Sequence, residues 1–516
     1  MADETNHPRP VPARGKFFHH YRALIYCGLA CLGGFQLGVD LGSIAGFQAM
    51  PGFLMIFGFP SDSSALGWGI DPTVQQLISS LMSVGPFIAC LAVGSMGRYL
   101  SRKWVMFIGC CLNHLGVILM IVARDLATLY AGRVVIGLSV GFLDVLPQLY
   151  IHECAPATQR GSLLGAFNVF VSVGLLIGSI VDNYTSTIMS TQAYVIPLGI
   201  FFIAPGVLQI ALFFMPETPR WLIEHHRPGH AKKALARLRN KDTSPQLLAA
   251  ELQEIKEAFE AEKALTKNIA FFDCFRKTNL RRTLLSLALL TCLGGSGALL
   301  FLTFGTYFFA IAGQTNAFAE SVGMTAAGLA ATAFSMWLIT RIGRRTILLI
   351  GFAAQAVCML IVALVYQYKS TTATGGKVLV AFTIIYLFFH NMCVAPYLYL
   401  SAGEIPTQRL RGYTLGMAIG VGFVWNWVSS YTAPYFLNPV VDIWFGSNFV
   451  IFFFIFFLVP ETKDRTLEEI DEMFEEKLSA RKFKNYKCKR AENARAVGMH
   501  IIEDKQNENH NHVESI

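Results

Sequence analysis

Charge is scarce in this chain. Asp, Glu, Lys and Arg together make up 15% of its 516 residues, against about 25% in soluble domains. The length would allow three or four water-facing domains, but that composition could not cover them, so the chain needs an apolar solvent. A cysteine framework is also missing. Eleven cysteines are present, and most (Cys27, Cys31, Cys90, Cys110, Cys111, Cys292, Cys358, Cys393) fall in apolar stretches, so no disulfide scaffold is expected. No short apolar region with a cleavage site precedes Arg22, so the first apolar helix itself is expected to serve as the targeting signal. Nor is there a nucleophile–base arrangement, a metal-ligand spacing or a phosphate-cradling glycine loop, so neither an enzyme nor a metal or other cofactor is expected. Gly294-Gly295-Ser296-Gly297 imitates such a loop but reads as part of an apolar helix. His225, His226 and His230 have no Cys or carboxylate companions and read as solvated surface residues.

What the chain has in abundance is apolar: 53% hydrophobic residues, with 41 Phe and 44 Gly. Gly suits spanning helices because it lets backbones approach closely. Twelve runs approach the length of about 20 residues needed to span a bilayer. Six lie at 23–46, 73–97, 103–123, 126–152, 160–182 and 194–215, and six more at 281–312, 318–340, 345–368, 377–403, 410–436 and 444–459. The expected fold is therefore an all-α membrane protein with twelve transmembrane helices in two six-helix bundles. Its units are an N-terminal tail (1–22), a first bundle (23–215), a linker (216–280), a second bundle (281–459) and a C-terminal helix and tail (460–516). Within the linker, 231–239 and 246–265 carry helical periodicity and predict short amphipathic helices.

The net charge of +8 does not point to nucleic acid, because its basic residues cluster between apolar segments. Loop charge instead sets orientation. Arg98, Arg102, Lys103, Arg160, Arg341, Arg344, Arg345, Arg409 and Arg411 share one side with the basic N-terminus, and Arg124, Lys369 and Lys377 are the exceptions. That side is expected to be the cytoplasm and to hold both termini and the linker. The sequon Asn183-Tyr184-Thr185 would lie outside, too near a helix end for glycosylation to be expected.

Short polar motifs recur in both halves. Glu153 to Arg160-Gly161 matches Glu404 to Arg411-Gly412 with the same internal spacing. Arg102-Lys103 is echoed by Arg344-Arg345, and Pro216-Glu217-Thr218 by Pro460-Glu461-Thr462. Three matches in the same order indicate a duplicated unit. Two similar bundles meeting at a central seam can hold a solute near the midplane and expose it to alternate sides by rocking.

Taken with these repeats, Gly132-Arg133-Val134-Val135-Ile136-Gly137, Pro216-Glu217-Thr218-Pro219-Arg220-Trp221-Leu222 and Pro460-Glu461-Thr462-Lys463 resemble the sugar porter family of the major facilitator superfamily. The last runs on through Thr466-Leu467-Glu468-Glu469-Ile470-Asp471-Glu472-Met473-Phe474. Arg409-Leu410-Arg411, Pro434 to Pro439 and Ser479-Ala480-Arg481-Lys482-Phe483 resemble its fungal hexose/disaccharide-type branch. The resemblance covers nearly the whole chain and implies the major facilitator fold, a small-molecule solute and a plasma-membrane carrier that works as a monomer.

Asp40, in the first apolar segment, is a functional candidate by default, because a carboxylate there must be paired or face water. The resemblance places it near Arg133. Two readings stand: Asp40 takes up a proton during the cycle and releases Arg133, or the two form a permanent pair that only holds helices together. Glu153, Arg160, Glu404 and Arg411, with Glu217, Glu461, Arg344 and Arg345, form a candidate cytoplasmic gate that bridges the halves or braces each one.

The chain departs from the family pattern at several points. Arg98 and Thr340 stand where the loops after the second and eighth helices would carry acidic residues. Leu293, Gly294 and Leu299 stand where the seventh helix of sugar porters presents two glutamines and an asparagine, and Gly422-Phe423 replaces the eleventh helix's Asn-Trp. Remaining candidates for the solute pocket are Asn168, Thr303, Thr306, Asn391, Tyr399 and Asn426, each of which could equally serve helix packing.

The leading expectation is therefore a carrier for a sugar or sugar-like solute, with proton symport as its candidate coupling. A first alternative keeps the mechanism and changes the cargo to a cyclic hydroxy acid or less polar metabolite, imported or exported. A second, a nutrient sensor that does not transport, is disfavoured by the short charged stretch after Phe474.

Overall fold

The computed structural model describes residues 21–486, apart from breaks at 62–66, 97–98, 157–158, 241–242, 267–270, 312–313, 340, 370–371, 438–441, 464 and 466. Arg98, Thr340, Asn438, Pro439, Thr466 and both tails lie outside the described residues.

Each of the twelve apolar runs coincides with a long helix. In the first half these are α1 (Tyr21–Phe47), α2 (Pro72–Met96), α3 (Arg102–Val122), α4 (Leu126–Cys154), α5 (Arg160–Thr185) and α6 (Gln192–Phe214). In the second half they are α7 (Asn279–Ile311), α8 (Ala317–Leu338), α9 (Arg344–Lys369), α10 (Thr374–Glu404), α11 (Arg411–Leu437) and α12 (Asp442–Leu458). Among the described residues, nine are long and apolar enough to cross a membrane. The linker helices run Pro228–Leu238 and Pro245–Thr266, with a further short one at Pro219–Glu224. Past α12, Leu467–Glu475 forms a helix that is tied to the base of α7 through the Arg282–Asp471 ion pair.

One element lies outside the apolar runs, and one expectation needs correction. The segment after α1 is more than a loop: it contains a helix, Pro51–Phe57, and a small antiparallel ribbon pairing Phe59–Pro60 with Trp68–Gly69. In addition, α7 is not one continuous helix. It breaks at Ser296-Gly297, where Gly297 has φ of +86° and packs against Trp444. Backbone freed in a membrane needs internal partners, and three carbonyls at the break have them. Ser429 donates to the Gly294 carbonyl, Ser447 to that of Gly295, and Tyr386 and Asn448 to that of Ser296. In α10 a π-helical turn spans His390–Val394.

In the N-terminal bundle, α1 lies against α5 along Gly34, Gly38, Gly42 and Gly46, one residue per turn. A Cβ at Gly38 would lie 1.9 Å from the Val171 carbonyl, and one at Gly42 would lie 2.4 Å from that of Leu175. Only glycine permits this approach.

The bundles meet between α2 and α11, α5 and α8, and α1 and the outer part of α7. On the face opposite the basic loops, the far face, Gln48 of α1's C-cap donates to the Thr303 carbonyl across the seam (3.3 Å). Tyr307 and Phe318 pack into the N-terminal core there.

Candidate functional site

Two turns inside the glycine-lined part of α1, Asp40 is fully buried and accepts a hydrogen bond from Arg133 Nη1 of α4 at 2.8 Å. The guanidinium is anchored by a second bond, from Nε to the Ile78 carbonyl of α2 (2.9 Å). Three helices thus share one ionic contact with no water-facing side. The contact is single-pronged: Asp40 Oδ2 and Arg133 Nη2 are both buried without partners. Bidentate pairing is the usual way Arg satisfies a carboxylate, so this pair keeps one acceptor and one donor unused.

On the basic face the repeated motifs build two matching corners. In the first, Glu153 accepts from Arg102 (3.4 Å), which also pairs with Glu224. In the second, Glu404 accepts from Arg344 (3.1 Å) and from the Thr462 hydroxyl. Glu217 accepts from the backbone N–H of Lys103 at the start of α3, and Glu461 from that of Arg344 at the start of α9. A carboxylate suits a helix N-terminus because its first N–H groups are unpaired and the helix dipole is positive there. Burial pushes the Glu217 carboxyl above its usual range, opposed by bonds from Ser101, Thr218 and Lys103. Arg345 donates to the Phe456 carbonyl of α12. Among the described residues, the ion pairs of these corners stay within one bundle. Arg160 and Arg411, the matching arginines of the two halves, each have a buried Nε without a partner, and among the described residues neither makes an ion pair. Among the described residues no ion pair joins the two bundles on the basic face, whereas the far face is joined through Gln48.

The remaining candidates are spread along the seam and within the C-terminal bundle. Asn168 is exposed, on the α5 face that also carries Gly165 and Ser172. Gly165 abuts Met336, and Ser172 shares a hydrogen bond with Thr332 of α8 (2.9 Å). The Thr303 hydroxyl bonds back to Leu299 of its own helix, so its contribution to the seam is its carbonyl. The Thr306 hydroxyl donates to Ser321 of α8, inside the C-terminal bundle. Asn391 lies in the π-turn of α10 and reaches Gly328 of α8, while Tyr399 is exposed. Asn426 has a buried Oδ1 without a partner, facing Gly294.

That last contact explains the altered seventh helix. A Cβ at Gly294 would lie 2.6 Å from Trp425 and 2.9 Å from Asn426 Oδ1. Space that a glutamine would need is filled by α11.

Several polar groups were not singled out from the sequence. Asp144 of α4, eleven residues beyond Arg133, accepts a hydrogen bond from Gln148. Asp182 of α5 is buried with no partner. His390 of the π-turn pairs with Gln355 of α9 at 3.0 Å. The rule that drew attention to Asp40 applies to both carboxylates.

The fold and these paired corners define a major facilitator transporter. A model of the sugar (and other) transporter family matches residues 26–474, and the chain belongs to that family. It is 30% identical over 483 residues to the major facilitator-type transporter ecdD of Aspergillus rugulosus, covering 89% of this chain and 88% of that one. It is 28% identical to the hexose transporter HXT8 of Saccharomyces cerevisiae, covering 87% of this chain and 81% of that one. Among solved structures it resembles the xylose transporter XylE of E. coli in a partially occluded inward-open conformation. That match has a TM-score of 0.72 at 18% identity, covering 86% of this chain and 100% of that one.

Proposed function

We propose that the protein carries a sugar or sugar-like polyhydroxylated solute across the plasma membrane by alternating access, coupled to protons. The basic face and both termini are cytoplasmic in this reading. The observation that carries it is the Asp40–Arg133 contact: buried, single-pronged, and on a helix whose outer end touches the other bundle. Protonating Asp40 removes the charge that holds Nη1, and the freed guanidinium then leans on the Ile78 carbonyl alone. A proton therefore changes how α1, α2 and α4 hold together. On the cytoplasmic side Glu153, Glu404, Glu217 and Glu461 hold helix starts in place, while Arg160 and Arg411 are available to engage when that side shuts. Asn168, Asn426, Asn391 and Tyr399 are the proposed polar contacts for the solute, with the Thr303 and Thr306 turns shaping α7 beside them.

A second reading changes only the cargo, to a less polar metabolite or cyclic hydroxy acid. It is favoured by Gly294, whose neighbours Trp425 and Asn426 occupy the room a glutamine would take.

The test is uptake of labelled glucose, maltose, xylose and quinate by transporter-null cells at acidic and neutral outside pH, with Asp40→Asn alongside. Acid-stimulated sugar uptake that is lost in Asp40→Asn is the expected result. Sugar uptake indifferent to pH would remove the proton coupling. With protein at the surface, uptake of quinate alone would favour the second reading.

A further inference from the structure

Asp182 lies in the last turn of α5, near the far face, with 1% of its surface exposed. Both carboxylate oxygens are buried, and neither has a hydrogen-bond partner. The side chain is pressed against Gly46, the outermost glycine of the α1 stripe, where a Cβ would lie 2.2 Å from Oδ2. Ser43, one turn back on α1, adds a buried hydroxyl without a partner. Two residues beyond Gly46, Gln48 makes the bond to Thr303 that joins the bundles. The orphan carboxylate therefore sits directly behind the far-face contact.

The charged and titratable groups of the surrounding helices do not neutralise it. On α1, Asp40 lies nearly two turns deeper and is held by Arg133 of α4. On α4, Asp144 is bonded to Gln148, and Tyr130 lies near the far-face start of that helix. Tyr194 of α6 packs its ring on Phe47 and Phe53, and Arg124, in the loop before α4, engages Tyr194. Glu320 stands in the first turn of α8. On α5 itself Tyr184 is exposed and Arg160 is at the opposite end. An ionised carboxylate with neither donor nor cation in such a place is far less stable than its neutral form.

We propose that Asp182 is a second proton-binding site of the transporter, occupied while the far face is closed and emptied when that face opens to water. Opening breaks the Gln48–Thr303 contact and hydrates the end of the α1–α5 groove. The carboxyl then loses its proton to water on that side. Closing takes one proton back from the same side, forming the O–H bond again with no other reactant. This proposal rests on the alternating-access reading but not on Asp40 being a coupling residue.

The experiment uses the full chain in nanodiscs, without solute. Spin labels are placed at Met55→Cys and Thr315→Cys on a background in which Cys90, Cys111 and Cys488 are replaced by Ser, and the far-face distance is followed from about pH 5 to about pH 8.5. Expected is a shift to longer distances as pH rises, present in the otherwise unaltered chain and in Asp40→Asn but lost in Asp182→Asn. A full shift retained in Asp182→Asn overturns the proposal and leaves alternating access standing. An unchanged distance at every pH in the unaltered chain overturns the proposal, and a distance that saturating solute also leaves unmoved overturns alternating access as well. Should Asp182→Asn not fold, infrared spectra of Asp182→Glu and the unaltered chain decide. A protonated carboxyl band at neutral pH that moves with the longer side chain supports the site, and an unmoved spectrum overturns it.

Discussion

On the basic face, the N-terminal bundle ties Glu153 to Arg102 and the C-terminal bundle ties Glu404 to Arg344; deeper in the membrane that likeness ends. The N-terminal interior carries ionisable and polar side chains: Asp40 with Arg133, Asp182 alone, and a buried Gln36–Asn113 bond between α1 and α3. The C-terminal interior carries irregular backbone instead, in the α7 break and the α10 π-turn, surrounded by aromatic residues such as Phe301, Phe304, Phe308 and Tyr386. One half places ionisable groups inside its helices, and the other places bends there. The corners that hold helix starts are alike in the two halves, and the interiors differ.

The largest test of this contrast is Arg133→Ala. It leaves Asp40 buried without its cation, and losing one partner of a buried pair costs about 3–5 kcal/mol. Purified protein should melt far lower, and Asp40→Asn added to it should recover part of the loss. Equal melting of Arg133→Ala and the unaltered chain would remove the charged frame from the comparison.

Next comes Gly297→Ala in the other half. A side chain at this positive φ, crowded by Trp444, costs about 1–3 kcal/mol. A clear drop in thermal stability is expected, against little change for Gly199→Ala, whose added Cβ meets open space.

Smaller is the effect of Glu217→Gln. Because burial raises this carboxyl, its contribution is present below the unfolded Glu value of about 4.3 and fades as pH rises through the higher folded value. Melting temperature measured against pH should fall over that window in the unaltered chain and less steeply in the variant. Smallest is Thr306→Val, which removes the bond to Ser321 and should cost about 1 kcal/mol in thermal stability without abolishing transport.

How much of this was legible beforehand depended on the kind of signal. Each apolar run found a helix, because spanning a bilayer fixes a minimum length, and among the described residues nine of these are long and apolar enough to cross. Motif spacing found both corners, and the structure brings Asp40 and Arg133 together. The break at Gly297 was hidden because a hydropathy sum does not register a change in backbone direction, and the apolar residues on both sides carry the sum across Gly294-Gly295-Ser296-Gly297. Asp182 was overlooked because the fifth run was ended at that residue, whereas α5 continues to Thr185 and leaves the carboxylate a turn inside. The Gln48–Thr303 contact joins residues 255 apart, beyond what periodicity can report. The gate residues read as either bridging or bracing, and among the described residues Glu153 pairs with Arg102 and Glu404 with Arg344, each inside its own half.

The glycine stripe of α1 has a further consequence. With Gly38 and Gly42 seated against the carbonyls of Val171 and Leu175, the two backbones interlock like cogs without teeth to spare. Any slide of one helix along the other would drive the next side chain into a carbonyl. The pair must travel as a single beam, so whatever flexes when the molecule changes state flexes outside it, and an added methyl on the beam would jam every state equally.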